Sequence, residues 1–332
     1  MSLPARIASS LRGLQDPRAK QREPNSIHLG SPEGLLRRCT LCPRGCGADR
    51  TKGGRGYCTT GSGLHIASIC LHRGEEPVFS EKGICNVFFA HCNLQCLYCQ
   101  NRQISANDSP LPEMHIDEAA ARIRAILEQG APCVGFVSPS HCLPQMRELM
   151  EAVDRAGPRP VYVMNTNCYD RAEAVESLDG EIDVYLPDFK YMDGGLAQRY
   201  SGARDYPETA LRALREMHRQ KGSNLVLDED GVIRSGLIVR HLVLPGQLEN
   251  TKQVLRAIAE ELSPSVHVSL MAQYYPTDAV RHHPEIGRSI TPGEYDVALE
   301  EFRRLGFHRG FVQDLGSGEN LRPDFTKEDP FS

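Results

Sequence analysis

From residue 84 onward, short apolar runs alternate with longer stretches in which apolar residues return every three or four positions. Period two marks strands and period 3.6 marks helices, so the pattern predicts successive strand–helix units. Strands are predicted at 85–90 (CNVFFA), 133–137 (CVGFV), 161–165 (VYVMN), 182–190 (IDVYLPDFK), 237–244 (LIVRHLVL), 267–272 (HVSLMA) and 310–315 (GFVQDL). Between them, DEAAARIRAILEQG sets Ala119, Ile123, Ile126 and Leu127 along one helical face, and Gly130 supplies a stop. LPQMRELMEAVDRAG, NTKQVLRAIAEEL and PGEYDVALEEFRRLG behave likewise. Six such units predict an α/β fold, a parallel sheet curled into a partial (βα)6 barrel rather than the full eight. In GSNLVLDEDGVIRS (222–235), DEDG between two β-prone runs predicts a hairpin insertion.

The pattern is absent before residue 84. Residues 1–35 have neither period and read as a poorly ordered N-terminal arm. Residues 36–83 are Gly-rich and cysteine-bearing, with tight turns at GGRG (53–56), and read as a small metal-binding domain. The barrel is expected over 84–315 and a C-terminal tail over 316–332.

Composition narrows the function classes. Of 332 residues, 40% are hydrophobic and 24% charged, as in a soluble globular protein with a sizeable core. A net charge of −5 argues against nucleic-acid binding by the whole molecule, and no apolar run suggests a membrane span. The N-terminus lacks the apolar core of a secretory signal, so a cytoplasmic protein is expected. Twelve cysteines in such a chain are not the disulfide framework of a small secreted domain. Cys70, Cys85, Cys133, Cys142 and Cys168 are scattered and are expected as small buried hydrophobes.

The other seven form two groups. Cys92, Cys96 and Cys99, in HCNLQCLYCQN, follow directly on the first predicted barrel strand, and active sites of such barrels gather at strand C-terminal ends. Thiolates suit zinc, copper(I) or iron–sulfur clusters, and a cubane [4Fe–4S] cluster normally takes four. Three leave one iron open to a small molecule. The plainer reading is a zinc knuckle that borrows His91 as its fourth ligand. Cys39, Cys42, Cys46 and Cys58 supply a closed set, which suits structural zinc or an auxiliary [4Fe–4S] cluster, and spacing alone does not choose. Around them lie Arg37, Arg38, Arg44, Arg50, Lys52 and Arg55 against Asp49, a charge pattern that offsets thiolates and suits a docking face for an electron donor.

The C-x3-C-x-Φ-C pattern, with Tyr98 as the aromatic, resembles the radical S-adenosylmethionine (SAM) superfamily. Coverage runs over about residues 36–315 and is nearest to the pyruvate formate-lyase activating-enzyme-like, PflX-type subgroup, in both CNLQCLYCQN, ending at Asn101, and the N-terminal Cys39–Cys42–Pro–Arg–x–Cys46 motif. The resemblance implies that the open iron chelates SAM. One electron then yields a 5′-deoxyadenosyl radical for hydrogen abstraction, as in installing a glycyl radical on a partner protein, with a flavodoxin or ferredoxin as donor. It further implies cofactor contacts from Asn165, Thr166 and Asn167, which stand where activating enzymes carry D-T-N. Asp188 and Lys190 of PDFK match their D-L-K, and Arg240 matches their R-x-x-x-x-P-G. His241, beside Arg240, is expected on the opposite face. Gln273 and Tyr274 end the sixth strand, where the family places polar groups. The Gly-Gly-Glu that holds the SAM amino group is absent; VSPSHC stands there, offering Ser138, Ser140 and His141. Two alternatives are a radical acting on an unrelated metabolite or peptide, and a non-enzymatic zinc-stapled binding module.

Overall fold

The computed structural model describes residues 31–74, 76–318 and 322–331. Most of the expected arm therefore lies outside the described residues. Its end forms the short helix α1 (Pro32–Arg37), capped by the Ser31 hydroxyl, which accepts the Gly34 N–H at 3.1 Å.

Nine strands form the described sheet: β1 (Ile66–His72), β2 (Ile84–Phe89), β3 (Cys133–Val137), β4 (Val161–Thr166), β5 (Val184–Pro187), β6 (Val226–Leu227), β7 (Ile233–Leu242), β8 (His267–Met271) and β9 (Gly310–Val312). Their order is β1-β2-β3-β4-β5-β7-β8-β9, with β6 off the path on β7. From β2 to β9 along that path every pairing is parallel. Helices α2 (Arg102–Ser105) and α3 (Ile116–Glu128) follow β2, α4 (Leu143–Arg155) follows β3, and α5 (Ala172–Glu176) follows β4. α6 (Gly194–Ser201) and α7 (Tyr206–Lys221) follow β5, α8 (Leu248–Glu261) follows β7, and α9 (Pro292–Arg304) follows β8. The fold is thus the expected α/β partial barrel, with the chain running strand, helix, strand around it.

Every residue of β2, β3 and β4 is buried, as for strands covered on both faces. α4 packs Leu143, Met146, Leu149, Met150 and Val153 inward, each worth about 1.5–3 kcal/mol of burial. β5 is shorter than the 182–190 run predicted: Pro187 has no N–H and interrupts the ladder, which resumes only as a single Asp188–Arg240 bridge, with the Phe189 N–H donating to the Arg240 carbonyl at 2.8 Å. The 222–235 insertion is a hairpin between β6 and β7, and Asp228 turns it by accepting the N–H groups of Asp230 at 3.0 Å and Val232 at 2.9 Å.

Two features depart from the expected layout. β1, from within the segment expected as the small domain, pairs antiparallel with β2 and makes one edge of the sheet. Residues 322–331 fold back over that edge. Gln103 accepts the Phe325 N–H at 2.8 Å, and the rings of Phe325 and Phe331 sit 5.1 and 6.2 Å from Phe88, with Phe331 also 4.0 Å from His72. The five scattered cysteines are all buried and unpaired. No helix among the described residues is long and apolar enough to cross a membrane.

Candidate active site

The C-terminal ends of the parallel strands open into one cavity of about 680 Å³, within the roughly 300–1,000 Å³ of small-molecule sites. Side chains alternate along a strand, so residues two apart share a face. Asn86 and Phe88, Asn165 and Asn167, Asp188 and Lys190, and Arg240 and Leu242 all face this cavity. The loop after β2 brings Cys92, Cys96, Tyr98, Cys99 and Asn101 to the same wall, and Ser138 lines it from the end of β3.

Backbone strain concentrates here. His91, Gln95, Ser138 and Cys168 have φ of 65°, 57°, 55° and 65°, in the left-handed region that non-glycine residues avoid, and all lie in the loops after β2, β3 and β4. The cysteine loop is held in that shape by Gln95 and Asn107. The Gln95 carboxamide donates to the Ser105 carbonyl at 2.6 Å and accepts the Asn107 N–H at 3.1 Å, while Asn107 accepts the Cys92 N–H at 3.1 Å.

Each thiol has its own partner. Cys92 Sγ accepts from Asn167 Nδ2 at 3.2 Å and from the Leu94 N–H at 3.4 Å, and Cys96 Sγ accepts from the Ser201 hydroxyl at 3.1 Å. The Ser105 hydroxyl lies 3.2 Å from Cys99 Sγ. Ser201 ends a relay in which Tyr98 and Tyr191 meet at 2.7 Å and Tyr191 and Ser201 at 2.8 Å. Burial pushes the Cys96 thiol up to about 12, against the pull of Lys190, so occupation of the site by a metal that binds thiolates releases protons.

The same cavity holds a charged trio. Asp188 accepts from Arg240 Nε at 2.7 Å and from Lys190 Nζ at 2.9 Å, and Arg240 Nη2 donates to Asn165 Oδ1 at 2.7 Å. Burial raises the Asp188 carboxyl, but the two cations outweigh it and hold it below the usual range. Burial alone disfavours the Lys190 ammonium, and Asp188 and Cys96 restore it, leaving it above its ordinary value. The trio sets two cations and one anion on the wall of the cavity, where Lys190 and Arg240 can meet an anionic group.

Not every expected residue faces the cavity. Thr166, between two inward asparagines, points the other way and donates to the buried Asp170 at 2.5 Å, while Ser140 lies 3.2 Å from the Thr166 hydroxyl. His141 is buried behind the β3 loop, its Nε2 3.0 Å from the Ala90 carbonyl. His241 bridges the Phe189 carbonyl at 2.8 Å and the Thr251 hydroxyl at 3.1 Å in the core. Gln273 lines the cavity, whereas Tyr274 is buried with its hydroxyl 2.5 Å from the Ile286 carbonyl. His91 Nδ1 lies 2.7 Å from the Thr59 hydroxyl and 3.0 Å from the Cys58 carbonyl, and its Nε2 2.9 Å from the Ser109 carbonyl, so it is not placed as a fourth ligand for the three thiols. Residues that pattern reading missed include His72, Glu76 and Ser269 on the cavity wall, and Asn93, Ser105 and Ser201 near the thiols.

The N-terminal cysteines sit against the back of the same loop. Cys42 lies in the field of Cys58, Cys39 and Cys46, and Gly56 is needed beside them because a Cβ there would fall 2.2 Å from Cys46 Sγ. Two of the basic residues are not surface charges. Arg50 is buried, donating to the Gly61 carbonyl at 2.9 Å and the His141 carbonyl at 2.7 Å, and Arg44 donates to the Asn93 carbonyl at 2.9 Å and the Gly202 carbonyl at 2.6 Å.

Three thiols and an Asp188–Lys190–Arg240 ion group therefore line one cavity at the C-terminal ends of a parallel α/β sheet. Residues 86–233 match the family described as Radical SAM superfamily, and the α/β fold with its parallel sheet is the radical SAM fold. The chain is 29% identical over 276 residues to Uncharacterized protein MJ0674 of Methanocaldococcus jannaschii, covering 81% of this chain and 75% of that protein. Among solved structures it resembles the FeFe-hydrogenase maturase HydG from Carboxydothermus hydrogenoformans, with a TM-score of 0.51 and 13% identity over 71% of this chain and 55% of that one. It also resembles Streptococcus suis SuiB bound to precursor peptide SuiA, with a TM-score of 0.49 and 12% identity over 69% of this chain. This chain spans about half the length of both, 55% and 48%.

The superfamily implies a [4Fe–4S] cluster and SAM. The residues fit both. The three thiols line one cavity, with a hydrogen-bond partner for each sulfur.

Proposed function

We propose that this protein is a radical SAM enzyme in which Cys92, Cys96 and Cys99 hold a [4Fe–4S] cluster and the wall from Asn165 to Arg240 holds SAM. The observation that carries the proposal is the presence of three hydrogen-bonded thiols and the ion-paired Asp188–Lys190–Arg240 group in one cavity. When bound, the cluster and SAM supply one-electron cleavage to methionine and a 5′-deoxyadenosyl radical that abstracts hydrogen. Asn167, Ser201 and Ser105 orient and tune the thiolates through the sulfur. Lys190 and Arg240 bind the methionine carboxylate by charge, and Asp188 keeps both at the cavity wall. Ser138, Asn101 and Tyr98 line the remaining cofactor surface and exclude water.

For the hydrogen donor we propose a backbone glycine of a partner protein, so that the chain acts as a PflX-type activating enzyme in the cytoplasm with a flavodoxin or ferredoxin as donor. The Asp188–Lys190 pair and the cysteine loop support this through their likeness to activating enzymes. A metabolite or peptide is the other hydrogen donor that the same site serves. The four N-terminal cysteines hold a metal of their own, zinc or a second cluster.

Anaerobic reconstitution with iron and sulfide, then reduction with dithionite in the presence of SAM, tests the proposal. Formation of 5′-deoxyadenosine that is lost in Cys96→Ala is the expected result. Stoichiometric zinc in the wild type, with no SAM cleavage, overturns it in favour of a binding module. Deuterium transfer from a labelled candidate into 5′-deoxyadenosine identifies the hydrogen donor, and a glycyl-radical doublet on a partner confirms an activating role.

A further inference from the structure

Arg44 stands in CPRGC, the run from Cys42 to Cys46, yet its guanidinium reaches away from that segment. Its Nε donates to the Asn93 carbonyl at 2.9 Å, Nη1 to the Gly202 carbonyl at 2.6 Å and Nη2 to the Ser201 carbonyl at 3.2 Å. All three acceptors are backbone oxygens, and they belong to two different elements, the loop after β2 and the end of α6. A guanidinium used in this way is a clamp, because its planar fork fixes the relative positions of the carbonyls that it holds. The clamp is itself held, with the Tyr57 ring centred 3.8 Å from Cζ and the Tyr169 ring 5.1 Å.

On the loop side, Asn93 directly follows Cys92. Its carboxamide accepts from Asn167 Nδ2 at 2.8 Å and donates to the Tyr169 carbonyl at 2.8 Å, and the same Asn167 Nδ2 donates to Cys92 Sγ at 3.2 Å. On the other side is the C-terminus of α6, where a helix leaves its last carbonyls without partners of its own. The Leu97 N–H donates to the Tyr200 carbonyl at 2.8 Å, and Arg44 serves those of Ser201 and Gly202. Gly202 closes the helix in the left-handed region, with φ of 60°. Ser201 is thereby fixed with its hydroxyl 3.1 Å from Cys96 Sγ. One side chain thus ties the residue after the first thiol to the residue that donates to the second.

We infer that Arg44 is a positioning residue for the active-site thiolates: it sets the reach from Ser201 Oγ to Cys96 Sγ and, through that bond, the reduction potential of the centre bound there. The inference rests on the radical SAM reading for the identity of that centre. A hydrogen bond to a ligand sulfur stabilises the reduced, more negative state, so a Ser201 that drifts from Cys96 makes the centre harder to reduce. Lysine at position 44 keeps the charge but offers a single ammonium, which does not span three carbonyls on two elements. Positioning by the fork therefore separates from the plain effect of a nearby positive charge.

The test is an EPR-monitored redox titration of the full chain, reconstituted with iron and sulfide without oxygen and titrated without SAM. Arg44→Lys is expected to lower the reduced-to-oxidised ratio at a fixed potential about fourfold, which is about 35 mV at 59 mV per tenfold. In a Ser201→Ala background the same substitution is expected to change the ratio by less than about 1.5-fold, since the bond it acts through is already gone. An Arg44→Lys titration that matches wild type, or a shift that persists in full without Ser201, overturns the assignment. If Arg44→Lys binds no cluster, Tyr57→Ala is read instead. It removes only the ring over the guanidinium, at an exposed position, and is expected to move the ratio the same way by about twofold; no movement overturns the assignment. A wild type that takes up no iron overturns the radical SAM reading, and the clamp is then read by amide exchange in the metal-free chain. Exchange at Gly202 and Ala203, whose N–H groups close the end of α6, is expected about tenfold faster in Arg44→Lys, and equal rates overturn the clamp.

Discussion

Removing the Asp188 carboxylate takes away the anion that Arg240 Nε and Lys190 Nζ both contact. Their side chains are 12% and 14% exposed and that of Asp188 21%, so the trio is mostly dry but touches the cavity. At an effective dielectric of about 20, each contact near 4 Å between charge centres is worth about 4 kcal/mol gross, and breaking a buried pair costs about 3–5 kcal/mol net. Water admitted through the cavity repays part of that, which puts Asp188→Ala at about 3 kcal/mol, a large share of a typical total stability. Asp188→Asn keeps an acceptor oxygen for one of the two donors and is expected to lose about 2 kcal/mol. Glu118→Ala is the internal control. Its partner Arg122 lies one turn away on α3 with side chains 57% and 51% exposed, so less than about 1 kcal/mol is at stake. Anaerobic urea unfolding reads all three, followed by far-ultraviolet circular dichroism because the chain contains no tryptophan. 5′-Deoxyadenosine yield is expected to fall at least tenfold in Asp188→Ala. A midpoint for Asp188→Ala no lower than that of Glu118→Ala would refute the claim that this trio is an electrostatic unit.

Three further outcomes follow from the same geometry. Ser201→Ala removes the donor to Cys96 Sγ and is expected to lower the cluster potential by about 40 mV, from about 1 kcal/mol of hydrogen bonding at 59 mV per tenfold, read by EPR-monitored titration. His241 is buried neutral, with burial and Lys190 holding it at about 4. As pH falls below about 6.5 the unfolded chain takes a proton that the fold refuses, so stability is present above that pH and declines toward 4. About 2 kcal/mol is lost at pH 5, and a urea midpoint equal at pH 7.5 and pH 5, or an equal pH slope in His241→Gln, counts against it. Phe331→Ala uncovers His72 and the cavity wall, and is expected to raise substrate-free 5′-deoxyadenosine formation severalfold; an unchanged rate means that the tail does not seal the site.

Much of this was legible in the chain, for a physical reason in each case. Parallel strands buried on both faces write themselves as continuous apolar runs, and amphipathic helices write a 3.6 period between them, so β2, β3, β4, β7, β8, α3, α4, α8 and α9 fell near their predicted places. Strand β1 was not legible. IASICLH adjoins a glycine-rich cysteine segment and pairs through an edge whose partner lies outside local pattern. The cysteine loop was legible because covalent spacing is read directly. The hydrogen-bond donors to its sulfurs were not, since Ser201 is 105 residues from Cys96 and only the fold joins them. The outward turn of Thr166 was present in the sequence all along. Asn165, Thr166 and Asn167 alternate on a strand, so two of the three share a face and the middle one opposes them.

The sheet edges bear on how a substrate reaches the cavity. An incomplete barrel leaves a lateral opening between its first and last strands, here between β1 and β9. The C-terminal segment changes this. Pro323 and Phe331 line the cavity together with His72 of β1 and Phe311 and Val312 of β9, so the segment spans the gap and faces the site from the side. Its hold is modest, aromatic packing on Phe88 and His72 and a pair of bonds to Gln103, which stands on α2 directly after the cysteine loop. Contacts of that size give way to a partner that buries comparable apolar surface, whereas a small molecule is enclosed behind them. The Phe331 variant therefore separates two kinds of substrate: release of the segment favours turnover of a protein loop, and impairs turnover of a molecule that depends on closure.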